Sequence, residues 1–150
     1  MGNRRKSREI AFQFLYEIEV GGEDVAQAFN NFPEKCEEKQ IVKDFAFKLV
    51  KGVCENLQRI DEMLAKCSAN WLPVRMTPVD RNIMRVGTYE IIYDCTPSVV
   101  AINEAIEIAK KFGAEKSSKF VNGMLDCVRK NSQMQPENQK RGQATFRSTE

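Results

Sequence analysis

Histidine is absent from this 150-residue sequence, and that absence excludes several kinds of site at once. Without imidazole there is no Cys/His zinc site, no Ser-His-Asp triad and no Cys-His nucleophile pair. A glycine-rich phosphate loop is also missing, because Gly21-Gly22 is followed by Glu and Asp instead of Gly-Lys-Ser/Thr. Adjacent acidic pairs such as Asp61-Glu62 do not face each other on a helix, which favours solvated surface over acid–base catalysis. We therefore predict no catalytic residues, no metal site and no cofactor.

Cysteine is present but forms no C-x-x-C pair, and the odd count of five cannot be fully paired within one chain. We expect the five cysteines to be reduced thiols of a cytoplasmic protein. The charged N-terminus lacks the apolar run of a signal peptide, and no apolar stretch approaches the ~20 residues needed to cross a bilayer. The sequence thus predicts a cytoplasmic protein that does not enter the membrane. The cysteines are Cys36, Cys54, Cys67, Cys95 and Cys127.

Apolar residues recur with a helical period through most of the chain, and no strand pattern of useful length competes. The sequence therefore predicts an all-α protein of two three-helix bundles packed together, joined at the proline-containing segment 71–82. Gly52 is the expected weak point of the third helix, which can run on to about Cys67. The six predicted helices cover about 4–20, 25–32, 42–67, 78–96, 99–112 and 115–129.

The ends of these helices carry recognisable signals. Thr77 is suited to cap a helix that has Pro78 at its first position. Gly123 lies inside the last helix, where glycine usually indicates close approach of a neighbouring backbone. From Asn131 the sequence is rich in Gln, Asn, Ser and Thr without a period, which predicts a disordered tail over 131–150. We expect one helical domain over 1–130, with bundles at about 4–70 and 77–130.

The first helix begins with a basic cluster although the net charge of the chain is only +2. Arg4, Arg5, Lys6 and Arg8 crowd a helix start, where the unpaired N–H groups favour acidic residues. A solvated arm would explain neither the clustering nor the mismatch with the helix dipole, so we interpret the cluster as an anion-binding, RNA-contacting end. Loss of these four residues is expected to weaken binding without unfolding the protein.

Three sequence blocks taken together resemble the NusB family of bacterial transcription antitermination factors. They are RRKSREIAFQFLY from Arg4, the Trp71–Glu90 block containing RMTPVDRNIMR, and VAINEAIEIAKKFGAEKSSKFVNGMLD from Val100. The resemblance implies two three-helix bundles that bind the boxA element of ribosomal leader RNA together with the small-subunit ribosomal protein NusE. Other Nus factors and RNA polymerase would be indirect partners. Members of this type are not enzymes.

The resemblance also implies which residues bind RNA and the protein partner. Phe120 belongs to the FVNG block of the RNA surface, although packing in the core is an equal alternative for its side chain. Lys116 departs from the family pattern, in which an acidic residue often follows Gly-Ala-Glu, and the added cation would strengthen RNA binding. Arg81 and Arg85 could also form pairs within their own helix. The implied RNA-binding residues are Arg4, Arg5, Lys6, Arg8, Gln13, Lys116, Phe120 and Asn122, and the implied partner-binding residues are Asp80, Arg81 and Met84.

Two other functions remain open from the sequence. The chain could be a NusB-like protein-interaction module that does not bind RNA. A NusB-like module also occurs as the N-terminal region of ribosomal RNA cytosine methyltransferases, but the residues after Arg129 are too few for a cofactor-binding α/β domain. A homodimer that covers the basic face is also compatible with the pattern.

Overall fold

A computed structural model describes residues 2–33, 37–68 and 76–134 of the chain. Every regular element in these ranges is a helix, so the predicted all-α fold is confirmed. Residues 69–75, which include the first part of the proline-containing joint, lie outside the described residues. The elements are α1 (Asn3–Val20), a 3-10 helix (Val25–Asn31), α2 (Gln40–Glu55), α3 (Leu57–Cys67), α4 (Pro78–Ile92), α5 (Ser98–Phe112) and α6 (Ser117–Met134).

The helices form two packed groups that share α4 as their common wall. α1, the 3-10 helix and α2 contact one another, and α4, α5 and α6 form the second group. α1 and α2 both pack on α4, while α3 reaches α4 and α6. Every residue of α4 from Asn82 to Ile92 is buried. No helix in the described part of the chain combines the length and apolar character required to span a bilayer.

The predicted third helix is two helices, because the chain breaks at Asn56. The Asn56 side-chain amide donates a hydrogen bond to the Gly52 carbonyl at 2.8 Å, and Asn56 leaves helical geometry at φ −120° and ψ 19°. Asparagine competes in this way for backbone groups that would otherwise continue a helix. The break therefore lies four residues after Gly52, and the prediction of a single helix to Cys67 was wrong.

Two glycines allow close packing, and neither is the one predicted to do so. A Cβ at Gly52 would overlap the ring of Tyr89, so this glycine lets α2 and α4 approach closely. A Cβ at Gly87 would lie 2.7 Å from Leu125 Cδ1. Apart from the adjoining atoms of its own helix, no heavy atom of the described part of the chain lies within 4 Å of the Cβ position at Gly123, so the expected close backbone approach there was wrong.

Two cysteines depart from the expectation of reduced thiols. Cys67 and Cys127 form a disulfide with their Cα atoms 5.7 Å apart. Sixty residues separate them in the sequence, so only the packing of α3 against α6 brings them together. Cys54 is buried and Cys95 is exposed, and Cys36 lies outside the described residues.

The last helix is longer than predicted. α6 continues to Met134, so the expected disorder from Asn131 was wrong for residues 131–134. Ser132 is buried, and its hydroxyl donates a hydrogen bond to the Arg129 carbonyl at 3.0 Å. The polar composition of residues 131–134 did not predict this final helical turn, which is stabilised by tertiary packing. Residues 135–150 lie outside the described residues.

Candidate nucleic-acid interface

The first turn of α1 carries exposed cations without the usual helix cap. Gly2 occupies the N-cap position and offers no side-chain hydrogen bond, and the first turn holds no acidic residue. Arg4 is exposed, with its guanidinium carbon 3.9 Å from the centre of the Phe45 ring. Lys6 lies 3.7 Å from a carboxylate oxygen of Glu38, and its side chain is 43% exposed. These two cations can reach an anion in solvent.

Arg5 is held in place by a carboxylate of α5. Its Nε and Nη2 atoms donate to the two oxygens of Glu104 at 3.0 and 2.6 Å. This two-point contact fixes the plane of the guanidinium. The hydrogen bond and the charge of Arg5 lower the pKa of Glu104 below its ordinary value of 4.5. Because 42% of the Arg5 side chain is still exposed, an incoming phosphate can contact its outer edge.

Arg8 occupies a different environment from the other members of the basic cluster. Its side chain is 6% exposed, and its Nε and Nη2 atoms each donate to the Glu90 carboxylate at 2.9 Å. Glu90 is 1% exposed, and Glu104 lies 3.5 Å from Arg8 Nη1. Breaking such a pair leaves an uncompensated buried charge. The expectation that Arg8 could be lost without destabilising the fold therefore does not hold in this structure.

A second group of candidate residues lies at the beginning of α6. The Ala114 N–H donates to Ser117 Oγ at 2.9 Å, which fixes the turn between α5 and α6. Lys116 and Asn122 are exposed, and 39% of the Phe120 surface is accessible. The neighbouring apolar residues Val121, Met124 and Leu125 are at most 5% exposed. Core packing therefore does not account for Phe120, which offers part of its ring to solvent.

Helix α5 links the α1 group to the α6 group. Phe12 and Phe112 have ring centroids 5.3 Å apart, and Lys111 Nζ lies 2.9 Å from Glu9 Oε1. Gln13 is exposed one helical turn after Glu9. The C-terminal end of α5 therefore packs against α1, immediately before the turn that carries Lys116.

The structure adds one cation that sequence reasoning missed. Lys48 on α2 is half exposed, and its Nζ lies 2.6 Å from Asp94 Oδ1. It lines a cavity of about 660 Å³ together with Arg4, Arg8 and Val100. Burial raises the pKa of Asp94, but the hydrogen bonds from Lys48 and Thr96 and the charge of Lys48 outweigh it and leave that pKa lowered. In the sequence Lys48 is only one exposed position of an amphipathic helix, so nothing local indicated that it lies beside Arg4.

The residues implied to bind a protein partner do not share one free surface. Met84 is fully buried in the core, so its expected role as a partner contact is incompatible with this fold. Arg81 donates to Glu19 at 3.0 Å, and Arg85 contacts both Glu19 and Asp61 at 3.0 Å. These ion pairs cross between helices, and within α4 Arg85 also donates to Asn82 Oδ1 at 3.3 Å, so the alternative of pairing within the helix is met only by this contact to a neutral side chain.

The ion-pair network around Glu19 lowers the pKa of that carboxyl, and the neighbouring Asp80 has one unsatisfied oxygen. Burial raises the pKa of Glu19, but hydrogen bonding and charge from Arg81 outweigh that effect and lower it overall. The Asp80 N–H donates to Thr77 Oγ1 at 3.1 Å, as the predicted cap requires. Asp80 Oδ1 is buried and has no hydrogen-bond partner among the described residues. Asp80 and Arg81 therefore remain half-buried candidates at the start of α4.

Known proteins are similar to this chain in both sequence and fold. The family model described as "NusB family" matches residues 5–130 of this chain. A relative from Chloroherpeton thalassium, named Transcription antitermination protein NusB, is 45% identical over 128 residues, which are 84% of this chain and 61% of that protein. A relative of the same name from Pelotomaculum thermopropionicum is 43% identical over 127 residues, covering 84% of this chain and 88% of that protein.

A solved structure of the antitermination factors NusB and NusE in complex with dsRNA contains a similar chain. It superposes with a TM-score of 0.75 at 28% identity, covering 87% of this chain and 98% of that chain.

Proposed function

Because the chain belongs to the NusB family, we propose that it is a non-enzymatic transcription antitermination factor that binds boxA-containing ribosomal leader RNA together with NusE. The family resemblance of the three sequence blocks is confirmed by relatives that carry this name. A solved relative in complex with NusE and dsRNA supports the pairing of NusE with RNA as partners. In this proposal the protein acts in the cytoplasm, and contacts with other Nus factors and RNA polymerase follow from assembly.

The exposed ring of Phe120 is the observation that carries the RNA-binding part of the proposal. Single-stranded RNA is read by aromatic rings that stack on bases and by amides that hydrogen-bond base edges. Phe120 is 39% exposed at the beginning of α6, and Asn122 is exposed close by along the same helix. Lys116 precedes the helix and is also exposed. These three side chains supply stacking, hydrogen bonding and phosphate attraction in one short segment.

In the basic cluster at the start of α1, three residues are placed to contact phosphate and the fourth holds the helix in position. Arg4 and Lys6 can bind phosphate directly, and Arg5 can do so from its contact with Glu104. Arg8 instead holds α1 against α4 through Glu90, so its role is to position the exposed cations. Gln13, exposed on α1, would add a hydrogen bond to the same RNA.

The proposal is tested by fluorescence titration with labelled boxA RNA and a scrambled RNA of equal composition. Both are measured at two salt concentrations, with and without NusE. We expect tighter binding of boxA, and a further increase with NusE because two ligands that stabilise the same state favour each other. Binding of NusE without binding of either RNA would instead indicate the protein-interaction module. Equal affinity for both RNAs under every condition would contradict sequence-specific recognition.

Single substitutions assign the binding surface within the same assay. Arg4→Ala and Lys6→Ala should each lower the salt slope by about 0.7, the value for one phosphate contact on a single strand. The matched control is Lys66→Ala, which removes a lysine from the last turn of α3. An unchanged salt dependence of RNA binding in the Arg4/Lys6 double variant would exclude the basic cluster from the interface. Lys116→Asp should weaken binding of both RNAs, and an unaltered affinity would exclude Lys116.

Phe120 has its own matched control in the chain. Phe120→Ala should weaken boxA binding by about 1–3 kcal/mol if the ring stacks on a base. Phe47 on α2 is similarly exposed, at 38% compared with 39%, so Phe47→Ala tests whether loss of any exposed ring has this effect. Equal boxA affinities of the Phe120→Ala and Phe47→Ala variants would contradict a stacking role for Phe120.

A further inference from the structure

The disulfide between Cys67 and Cys127 connects α3 to α6 and includes none of the residues proposed to bind RNA. Cys67 is the last residue of α3, and Cys127 lies within α6. The Cα separation of 5.7 Å is within the range that a disulfide spans without backbone movement. Folding therefore brings two sulfur atoms from opposite ends of a 60-residue stretch into bonding position.

The surroundings of this pair differ from those of the buried Cys54. Cys67 and Cys127 are both half-buried, and the Asn131 side-chain amide donates to their sulfur atoms at 3.5 and 3.7 Å. Cys54 is buried, its thiol donates to the Val25 carbonyl at 3.0 Å, and burial raises its pKa. A thiol with a raised pKa forms the reactive thiolate less readily. The Cys67–Cys127 pair is thus partly accessible and close to a polar group.

We propose that Cys67 and Cys127 form a reversible redox site that links α3 to α6 when oxidised. The oxidant is a low-molecular-weight disulfide such as oxidised glutathione. One cysteine thiolate attacks a sulfur of that disulfide, forming a mixed disulfide and releasing one glutathione thiolate. The second cysteine thiolate then attacks the mixed disulfide, forming the Cys67–Cys127 bond and releasing the second glutathione. Two protein thiols lose two electrons and two protons, and one glutathione disulfide becomes two thiols.

Oxidation and folding must favour each other by the same factor, because both belong to one thermodynamic cycle. A disulfide that closes a loop of this length raises the folding equilibrium constant by about 30- to 1,000-fold. The folded chain should therefore form the bond about 30- to 1,000-fold more readily than the unfolded chain. The melting temperature of the oxidised protein should exceed that of the reduced protein by about 5–15 °C.

The test equilibrates the full chain with mixtures of reduced and oxidised glutathione, with and without concentrated guanidinium. Remaining thiols are alkylated after acid quenching, and the linked peptides are identified by mass spectrometry. We expect a Cys67–Cys127 link whose formation constant is at least about 30-fold larger without denaturant. Melting curves of the same samples should shift with oxidation and return after reduction.

Cysteine variants supply the controls. Cys67→Ser and Cys127→Ser should each abolish the redox-dependent melting shift, whereas Cys95→Ser should retain it because Cys95 is exposed and outside the disulfide. The reduced and oxidised wild-type chain carries the test even if a variant fails to fold. A formation constant that is equal in folded and unfolded chains, a link to another cysteine, or equal melting temperatures would each overturn the proposal.

Discussion

Replacement of Arg8 by alanine should destabilise the protein severely. The substitution removes the counterion of Glu90, a carboxylate that is 1% exposed and receives Arg8 hydrogen bonds at 2.9 Å. The Thr96 hydroxyl, 3.3 Å away, is too weak a partner to neutralise the charge. Removing one partner of a buried ion pair typically costs about 3–5 kcal/mol. Since domains of this kind are stable by only ~5–15 kcal/mol, a large fraction of the folded state's stability would be lost.

The loss is measured by urea unfolding followed by circular dichroism, with two comparison variants. Arg4→Ala removes an exposed guanidinium that stacks on Phe45 and should cost only about 0.5–1 kcal/mol. The double variant Arg8→Met/Glu90→Leu replaces the pair by apolar side chains and should recover most of the lost stability. If Arg8→Ala were no less stable than Arg4→Ala, or if the double variant were as unstable as Arg8→Ala, the buried-charge reasoning would be refuted.

Two further predictions concern packing and pH. Gly52→Ala should destabilise by about 1–3 kcal/mol because its Cβ overlaps the Tyr89 ring, whereas Gly123→Ala should stabilise by about 0.5–1 kcal/mol, and opposite shifts in thermal melts check both. The pKa of Glu104 is lowered by the hydrogen bond from Arg5, so Glu104 adds stability that is present above its ordinary pKa of 4.5 and disappears as the pH falls through the lowered pKa. Glu104→Gln should remove this part of the acid dependence, and a melting temperature that falls with pH as in the wild type would contradict it.

The helices were predictable because their signals are local. The Thr77 and Pro78 cap is confirmed by the hydrogen bond from the Asp80 N–H to Thr77 Oγ1, and the helix from Ser98 to Phe112 matches its predicted range closely. Such signals depend on neighbours within one or two turns of the chain. The break at Asn56 was missed because a side-chain hydrogen bond to the Gly52 carbonyl has no distinct sequence pattern there.

The candidate site was less predictable because its geometry depends on distant residues. Four clustered cations were correctly recognised as unusual for a helix start, yet the sequence could not indicate that Arg8 meets Glu90, 82 residues away. Met84 and Arg81 are separated by three positions, and only the packed structure shows that one is core and the other paired with Glu19. Exposure likewise distinguishes Phe120 from the apolar residues that follow it.

The continuous burial of Asn82–Ile92 has a consequence for how the protein can be divided. Helix α4 belongs to the second bundle, but α1 and α2 cover one of its sides. Separation of the bundles would expose that side of α4, including the Glu90 carboxylate, to water and remove its arginine. The protein should therefore unfold in a single transition, and neither half should serve as an independent module when the chain is cut between them.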